Sequence, residues 1–248
     1  MQDIYEWFRT LNETTGINLT IVHDAYDRRR MIEGFLNTIY LSAICLLFSI
    51  IIGVVGAWLQ GSRLTWTRRL VNGYIQLFRN TPPLVQMYFF FFALGALMPR
   101  VENEWGIMEP ILSNWHWAVI SLSFFAGAFN VEIFRSGIEA VPRATVEAAE
   151  ALGYTRLKAY RHVVLPLALR VCLPALNNNL VNLVKTTTLA YAIAVPEMLY
   201  VANQIWSDSL NVPEMMTFLL FAYVLLVGAL VRVMNGWERA MRLPGFGT

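Results

Sequence analysis

The sequence predicts an all-α, polytopic membrane protein with about five membrane-spanning helices. Apolar residues make up 56% and charged residues 15% of its 248 residues, whereas soluble domains contain about 25% charged residues. The mean hydropathy is +0.48, and several apolar runs reach the roughly 20 residues that a helix needs to cross the hydrocarbon core. Lipid offers no partners to backbone N–H and C=O groups, so these runs favour helices, and they are too long and continuously apolar for barrel strands.

The individual helices follow from the order of the apolar runs. We predict spans at about 35–58, 70–97, 117–137, 174–202 and 215–235. The second run is interrupted by the letters RNTPP, and its two prolines disturb the helical hydrogen-bond pattern.

Loop charges predict how the spans are oriented, because basic residues concentrate in cytoplasmic loops. The loops after the first and third spans are basic, whereas the loops after the second and fourth spans are more acidic. This pattern predicts an external N-terminus and a cytoplasmic C-terminus. The predicted organisation is an N-terminal periplasmic or surface segment (1–34), a transmembrane domain (35–240) and a cytoplasmic tail (241–248).

A hydrophilic insert, at about 138–173, separates the third and fourth spans. The run RATVEAAEAL after Pro142 consists mostly of strong helix formers, and Gly153 suits a left-handed helix end. A second helical stretch is predicted from Thr155. Two adjacent alanines and nearby acidic residues would let a basic partner surface approach closely, which describes a docking surface. The alternative is an ordinary cytoplasmic loop.

The insert also carries a spaced motif. Glu147-Ala148-Ala149 is followed after three residues by Gly153, and after nine more by VVLP (163–166). This spacing resembles the EAA signature of ABC importer permeases, with valine in place of the usual isoleucine. In that family the loop docks into a groove on the ATPase subunit. The resemblance implies ATPase-coupling residues at Arg143, Glu147, Ala148, Ala149 and Gly153.

Three further segments are similar to motifs of the polar amino acid uptake permeases. They are FRNTPPLVQMYFF (78–90), AFNVEIFRSGIEAV (128–141) and VKTTTLAYAIAVPEM (184–198). One departure is RATV (143–146), which stands where the family usually has Gly-Gln before the EAA motif. The resemblance covers roughly residues 35–240 and implies import of histidine, arginine, glutamine, glutamate or opines.

The resemblance also implies the other parts of an importer. The expected partners are an ABC ATPase dimer that uses ATP and Mg, a second permease subunit, a periplasmic substrate-binding protein and an amino acid substrate. The expected location is the bacterial inner membrane, with several passes through the lipid bilayer. The chain itself is expected to be no enzyme and to hold no cofactor or metal. Its sequence has no G-x-x-x-x-G-K-[ST] phosphate loop, and its net charge of +2 does not indicate nucleic-acid binding.

Three ionisable residues, Arg79, Glu132 and Lys185, fall inside predicted spans, where a charge is costly unless it is paired or lines a wet cavity. The helical rise places all three in the inner half of the bilayer. They could bind the carboxylate and ammonium groups of an amino acid, or they could form a structural ion-pair network. The candidate substrate-binding residues are Arg79, Thr81, Gln86, Glu132 and Thr187.

An ion-driven secondary carrier or channel component is the main alternative function. It would explain the spans and the buried charges equally well. It would not explain the EAA spacing, which therefore favours the ABC permease. A membrane enzyme is a third alternative, and no hydrolase or metalloprotease motif supports it.

Overall fold

The computed structural model describes residues 2–241, most of them helical, so the predicted all-α class is confirmed. The α-helices, in chain order, are α1 (Gln2–Thr15), α2 (Thr20–His23), α3 (Ala25–Gln60), α4 (Thr65–Asn80), α5 (Pro83–Tyr88), α6 (Asn114–Glu139), α7 (Arg143–Ala151), α8 (Arg156–Ala159), α9 (Leu165–Thr186), α10 (Met198–Ser209) and α11 (Val212–Met241). Two π-helical turns (Phe89–Leu94 and Tyr160–Val164) and a 3-10 helix (Thr187–Ile193) continue α5, α8 and α9 respectively. A short antiparallel hairpin, β1 (Arg100–Glu102) and β2 (Met108–Pro110), pairs Arg100 with Pro110. Most of the predicted cytoplasmic tail lies outside the described residues.

Four of the described helical stretches are long and apolar enough to cross a membrane: Ala25–Gln60, Asn114–Glu139, Arg156–Ile193 and Val212–Met241. They contain the predicted first, third and fifth spans and most of the fourth. The predicted fourth span extends to residue 202, but its helix ends at Ile193. Ala194 adopts the left-handed conformation with φ of 58°, which stops the helix before α10 begins.

The predicted second span is divided into two helices. α4 ends at Asn80, and Thr81 has extended backbone angles (φ −116°, ψ 144°) because a residue before proline is disfavoured in the α conformation. Pro83 then begins α5, where the missing N–H costs no hydrogen bond. The second part, Pro83–Leu94, is apolar but shorter than the four long stretches.

The chain divides into two compact units. The first contains the described residues up to 44 together with 84–121 and 184–228, and the second contains 45–83, 122–183 and the described residues from 229 onward. The first unit has an apolar core in which Met31 of α3 packs with residues of α10 and α11, including Met198, Ile205 and Met215.

A buried carboxylate organises the start of α10 in the first unit. Glu197 has no exposed surface, and its side chain accepts hydrogen bonds from the backbone N–H groups of Leu199 (3.0 Å) and Tyr200 (2.8 Å). The hydroxyl of Tyr223 on α11 donates to the same carboxylate at 3.0 Å. Glu197 therefore accepts hydrogen bonds from backbone N–H groups in the first turn of α10, which have no partner within the helix, and it links α10 to α11.

Close contacts through glycine hold the helices of the second unit together. A Cβ atom on Gly53 of α3 would lie 2.4 Å from Cβ of Asn130 on α6, and one on Gly56 would lie 2.3 Å from Cγ2 of Val131. Gly137 of α6 faces α9 in the same way, since its Cβ would lie 2.7 Å from the carbonyl oxygen of Ala168. Small residues that let backbones approach are a main source of helix association in lipid.

We expect Gly53→Ala to destabilise the protein by about 1–3 kcal/mol, because the added methyl group overpacks the contact with Asn130. Gly73→Ala on α4 is the matched control, since a Cβ there meets no atom within 4 Å. Thermal unfolding of the purified protein in detergent measures both effects. Equal melting temperatures for the two variants would contradict the close packing of α3 and α6.

Candidate functional site

The predicted charged residues Arg79 and Glu132 form an ion pair. Arg79 lies in the last turn of α4, next to the break at Thr81, and its guanidinium group donates to the carboxylate of Glu132 on α6. The guanidinium carbon also lies 5.2 Å from the centroid of the Phe129 ring. Phe129 and Glu132 are three residues apart on α6, so they share a face that receives Arg79.

This pair remains open to solvent or ligand. Both side chains are 38% exposed, so each charge can be reached from outside the protein. A guanidinium group binds a carboxylate through two parallel hydrogen bonds, and a carboxylate is a natural partner for an ammonium group. The pair therefore presents one accessible charge of each sign.

The other predicted substrate-binding residues have different surroundings. The hydroxyl of Thr81 donates to the carbonyl oxygen of Leu77 at 2.7 Å, in the last turn of α4. Gln86 is buried on α5 in the first unit. Thr187, also in the first unit, has no exposed surface, and its hydroxyl donates to the carbonyl oxygen of Val184 at 2.7 Å. The structure therefore brings together Arg79 and Glu132, and the substrate-binding roles of all five residues stay predictions.

A buried amide that the sequence reasoning missed lies two residues before Glu132. Asn130 has no exposed surface; its side-chain amide donates to Ser49 Oγ of α3 at 3.2 Å. Its carbonyl oxygen accepts a 2.7 Å hydrogen bond from Asn179 of α9, whose amide also donates to the carbonyl oxygen of Ala126 at 3.0 Å. This chain of polar contacts joins α3, α6 and α9. A single amide within an otherwise apolar stretch of α6 is the only signal in the sequence that could have indicated it.

The insert folds as two short helices joined by a glycine turn. α7 begins after Pro142 and ends where Gly153 takes φ of 87°, the left-handed conformation that the sequence predicted. The N–H groups of Gly153 and Tyr154 donate to the carbonyl oxygens of Glu150 (2.9 Å) and Ala149 (3.1 Å), which closes the end of the helix. Thr155 then caps α8 by accepting a hydrogen bond from the N–H of Lys158.

The tip of the insert exposes apolar side chains next to charged ones. Leu152 is 81% exposed and Leu157 is 76% exposed, on either side of the glycine turn. On α7, the predicted coupling residues Arg143, Glu147 and Ala148 are exposed. Ala149 is buried and packs inward, so only one of the two alanines is available to a partner. Exposed apolar residues of this size, clustered among charges, are typical of a surface that binds another protein.

Comparison with known proteins identifies the family. Residues 49–242 match the family described as "Binding-protein-dependent transport system inner membrane component". The chain belongs to this family. It is 32% identical over 219 residues to the glutamate/aspartate import permease protein GltJ of Escherichia coli (strain K12), covering 86% of this chain and 87% of the relative. It is also 32% identical over 213 residues to the octopine transport system permease protein OccM of Rhizobium radiobacter, covering 84% and 86%.

A solved structure supports the same assignment. The permease matches a chain of "Crystal structure of an amino acid ABC transporter with histidines" with a TM-score of 0.75 and 25% identity, over 86% of this chain and 94% of that one. The predicted family of polar amino acid ABC importer permeases is therefore confirmed, and an ion-driven carrier is disfavoured. The permease is a multi-pass protein of the bacterial inner membrane.

We expect Asn130→Leu to lower the melting temperature of the permease, because it removes the hydrogen bonds to Ser49 and Asn179 and leaves their polar groups without this partner. Interhelical hydrogen bonds in membranes contribute about 1 kcal/mol each. Asn178→Leu is the control, since Asn178 is exposed on the same helix as Asn179. Equal loss of stability in both variants would rule out a special role for Asn130.

Proposed function

We propose that this permease moves a polar amino acid, or a related compound such as an opine, across the inner membrane. The observation that carries the proposal is the accessible Arg79–Glu132 pair, which offers one charge of each sign to a zwitterion. The names of its relatives agree with this class of substrate, since they import glutamate and aspartate or transport octopine. The chain supplies the path, and a separate subunit supplies the energy.

The proposed importer contains two permease subunits, two ABC ATPase subunits that bind ATP and Mg, and a periplasmic binding protein that delivers substrate. The permease has five spans, with its N-terminus outside and its C-terminus in the cytoplasm. The two-part segment α4–α5 would make up the fifth span in addition to the four long helical stretches. The basic loop 61–69 and the basic insert then both face the cytoplasm, as the distribution of charges in membrane proteins favours.

Substrate binding would exchange the partners of the ion pair. The carboxylate of the substrate would take the place of Glu132 on Arg79, and its ammonium group would bind Glu132. The ring of Phe129, which already lies against the guanidinium group, would keep Arg79 in position during the exchange. The half-exposed pair is weak enough to open, because water screens its charges.

Coupling to the ATPase would run through the insert. The exposed face of α7 and the apolar tip at Leu152 and Leu157 would dock into a groove of the ATPase. Glu147 would face basic residues there. Val146, on the inner side of α7, packs against a cluster of Val141, Val164 and Ala168, so movement of the docked helix would be passed to α6 and α9.

Two single substitutions that remove one charge each, together with the double variant, distinguish an ion pair that binds substrate from one that only stabilises the structure. We expect Arg79→Gln and Glu132→Gln each to reduce uptake by roughly tenfold or more, because hydrogen bonds to charged groups contribute about 1.5–3 kcal/mol. The double variant Arg79→Gln/Glu132→Gln has no unpaired charge, yet we expect it to transport as poorly as the single variants. Uptake of labelled amino acids into proteoliposomes that contain the whole importer measures the effect.

Recovery of transport in the double variant would show that the pair only holds α4 and α6 together. Basal ATP hydrolysis and subunit assembly are measured in parallel, since a misfolded permease would lose both. Glutamate, glutamine, arginine, histidine and octopine are compared as substrates in the same assay.

We expect Glu147→Arg to abolish most of the ATP hydrolysis that substrate-loaded binding protein stimulates, because it reverses a charge on the docking face of α7. Arg239→Glu, an exposed residue in the last turn of α11 and outside the insert, is the control charge reversal and should leave stimulation unchanged. The measurement is ATPase activity of the reconstituted complex. Full stimulation in the Glu147 variant would mean that the insert is an ordinary loop.

A further inference from the structure

A basic cavity lies in the second unit, and its lining does not include Arg79 or Glu132. Its volume is about 910 Å³, and it is formed by the loop 61–64, the start of α4 and the end of α6. Arg63, Arg68, Arg69 and Arg135 contribute to its lining. Glu139 is the acidic residue of the lining, so the four arginines leave an excess of positive charge that favours an anion.

The charges in this cavity are mostly uncompensated. Arg135 donates to Glu139 on the next turn of α6 at 2.7 Å, so this arginine already has a carboxylate partner. Arg63, Arg68 and Arg69 form no ion pair with any residue between 5 and 241, the range over which side chains are described. An anion entering the cavity would therefore meet three arginine side chains without an internal counter-charge.

The cavity also offers a hydrogen-bond acceptor. Gln60 lines it and donates from Nε2 to Asn72 Oδ1 at 2.8 Å. The Oε1 atom of Gln60 is buried and has no hydrogen-bond partner. A ligand that carries both a negative phosphate and a hydroxyl group would satisfy this acceptor together with the arginines.

The surroundings of the cavity indicate a membrane surface. It lies where the long apolar helix α3 ends at Gln60. Trp58 is 74% exposed and Trp66 is 64% exposed, one on each side of the loop. Tryptophan is enriched at the level of the lipid headgroups, so the cavity opens where phospholipid headgroups are found.

We propose that this cavity binds the headgroup of an anionic phospholipid, with the arginines contacting the phosphate and Gln60 accepting a hydrogen bond from a headgroup hydroxyl. Basic pockets between membrane helices are suited to such headgroups, and each arginine near an anionic surface adds to the attraction. Tyr160, which follows α8, also lines the cavity, so a bound lipid would link the α3–α4 loop to the insert.

The test uses the purified importer complex in micelles that contain either phosphatidylglycerol or phosphatidylcholine. Native mass spectrometry counts retained lipid, and thermal unfolding measures the stabilisation. We expect phosphatidylglycerol to be retained and to raise the melting temperature, and Arg68→Gln/Arg69→Gln to weaken its binding by roughly tenfold or more. Arg156→Gln/Arg170→Gln removes the same charge outside the cavity lining and should keep the lipid.

Three results would overturn the proposal. Equal loss of lipid in both double variants would indicate diffuse attraction to the membrane rather than a site. The same stabilisation by inorganic phosphate or soluble glycerophosphoglycerol would indicate a site for a free anion. Loss of the ATPase subunits from the Arg68/Arg69 variant, with unchanged lipid binding, would show that the cavity faces a protein partner.

Discussion

The close contact between α3 and α6 is the constraint on which the second unit depends. Gly53 and Gly56 leave no room for a side chain against α6, and at this separation Asn130 can reach both Ser49 and Asn179. In lipid, apolar side chains gain little by leaving one apolar environment for another. Close backbone packing and buried polar contacts therefore decide which helices associate and in which register.

On α6, the charged residue Glu132 lies on a different face from Asn130. Glu132 follows Asn130 by two residues, which is about 200° around an α-helix. The amide is buried and fixes α6 between α3 and α9, while the carboxylate stays accessible beside Arg79. In the proposed binding of a small zwitterion, this arrangement would hold the position of the charge while its partner changes.

The sequence predicted features that depend on local residues better than those that depend on distant ones. The glycine turn at Gly153 follows from residues within one turn, so a glycine after a run of helix formers was enough to predict it. The Arg79–Glu132 pair could be anticipated because charges within spans have few possible partners. Asn130 could not, since its partners are 81 and 49 residues away and a lone asparagine does not indicate either of them. The burial of the Thr187 hydroxyl, which donates a hydrogen bond to the carbonyl oxygen of Val184, could not be predicted from the sequence either. Only packing decides whether a threonine faces a cavity.

The way the insert is attached explains how a soluble partner could move membrane helices. α7 is held through Val146 to the cluster of Val141, Val164 and Ala168, and Gly137 brings the backbone of α6 against Ala168. Well-packed contacts of this kind transmit displacement because protein interiors are not easily compressed. The π-helical turn Tyr160–Val164 interrupts the regular hydrogen bonding between the tip and α9. Such turns are frequent at functional sites within helices, so we expect this turn to adjust when the docked insert moves, while the packed contacts of Val141 and Ala168 pass the displacement to α6 and α9.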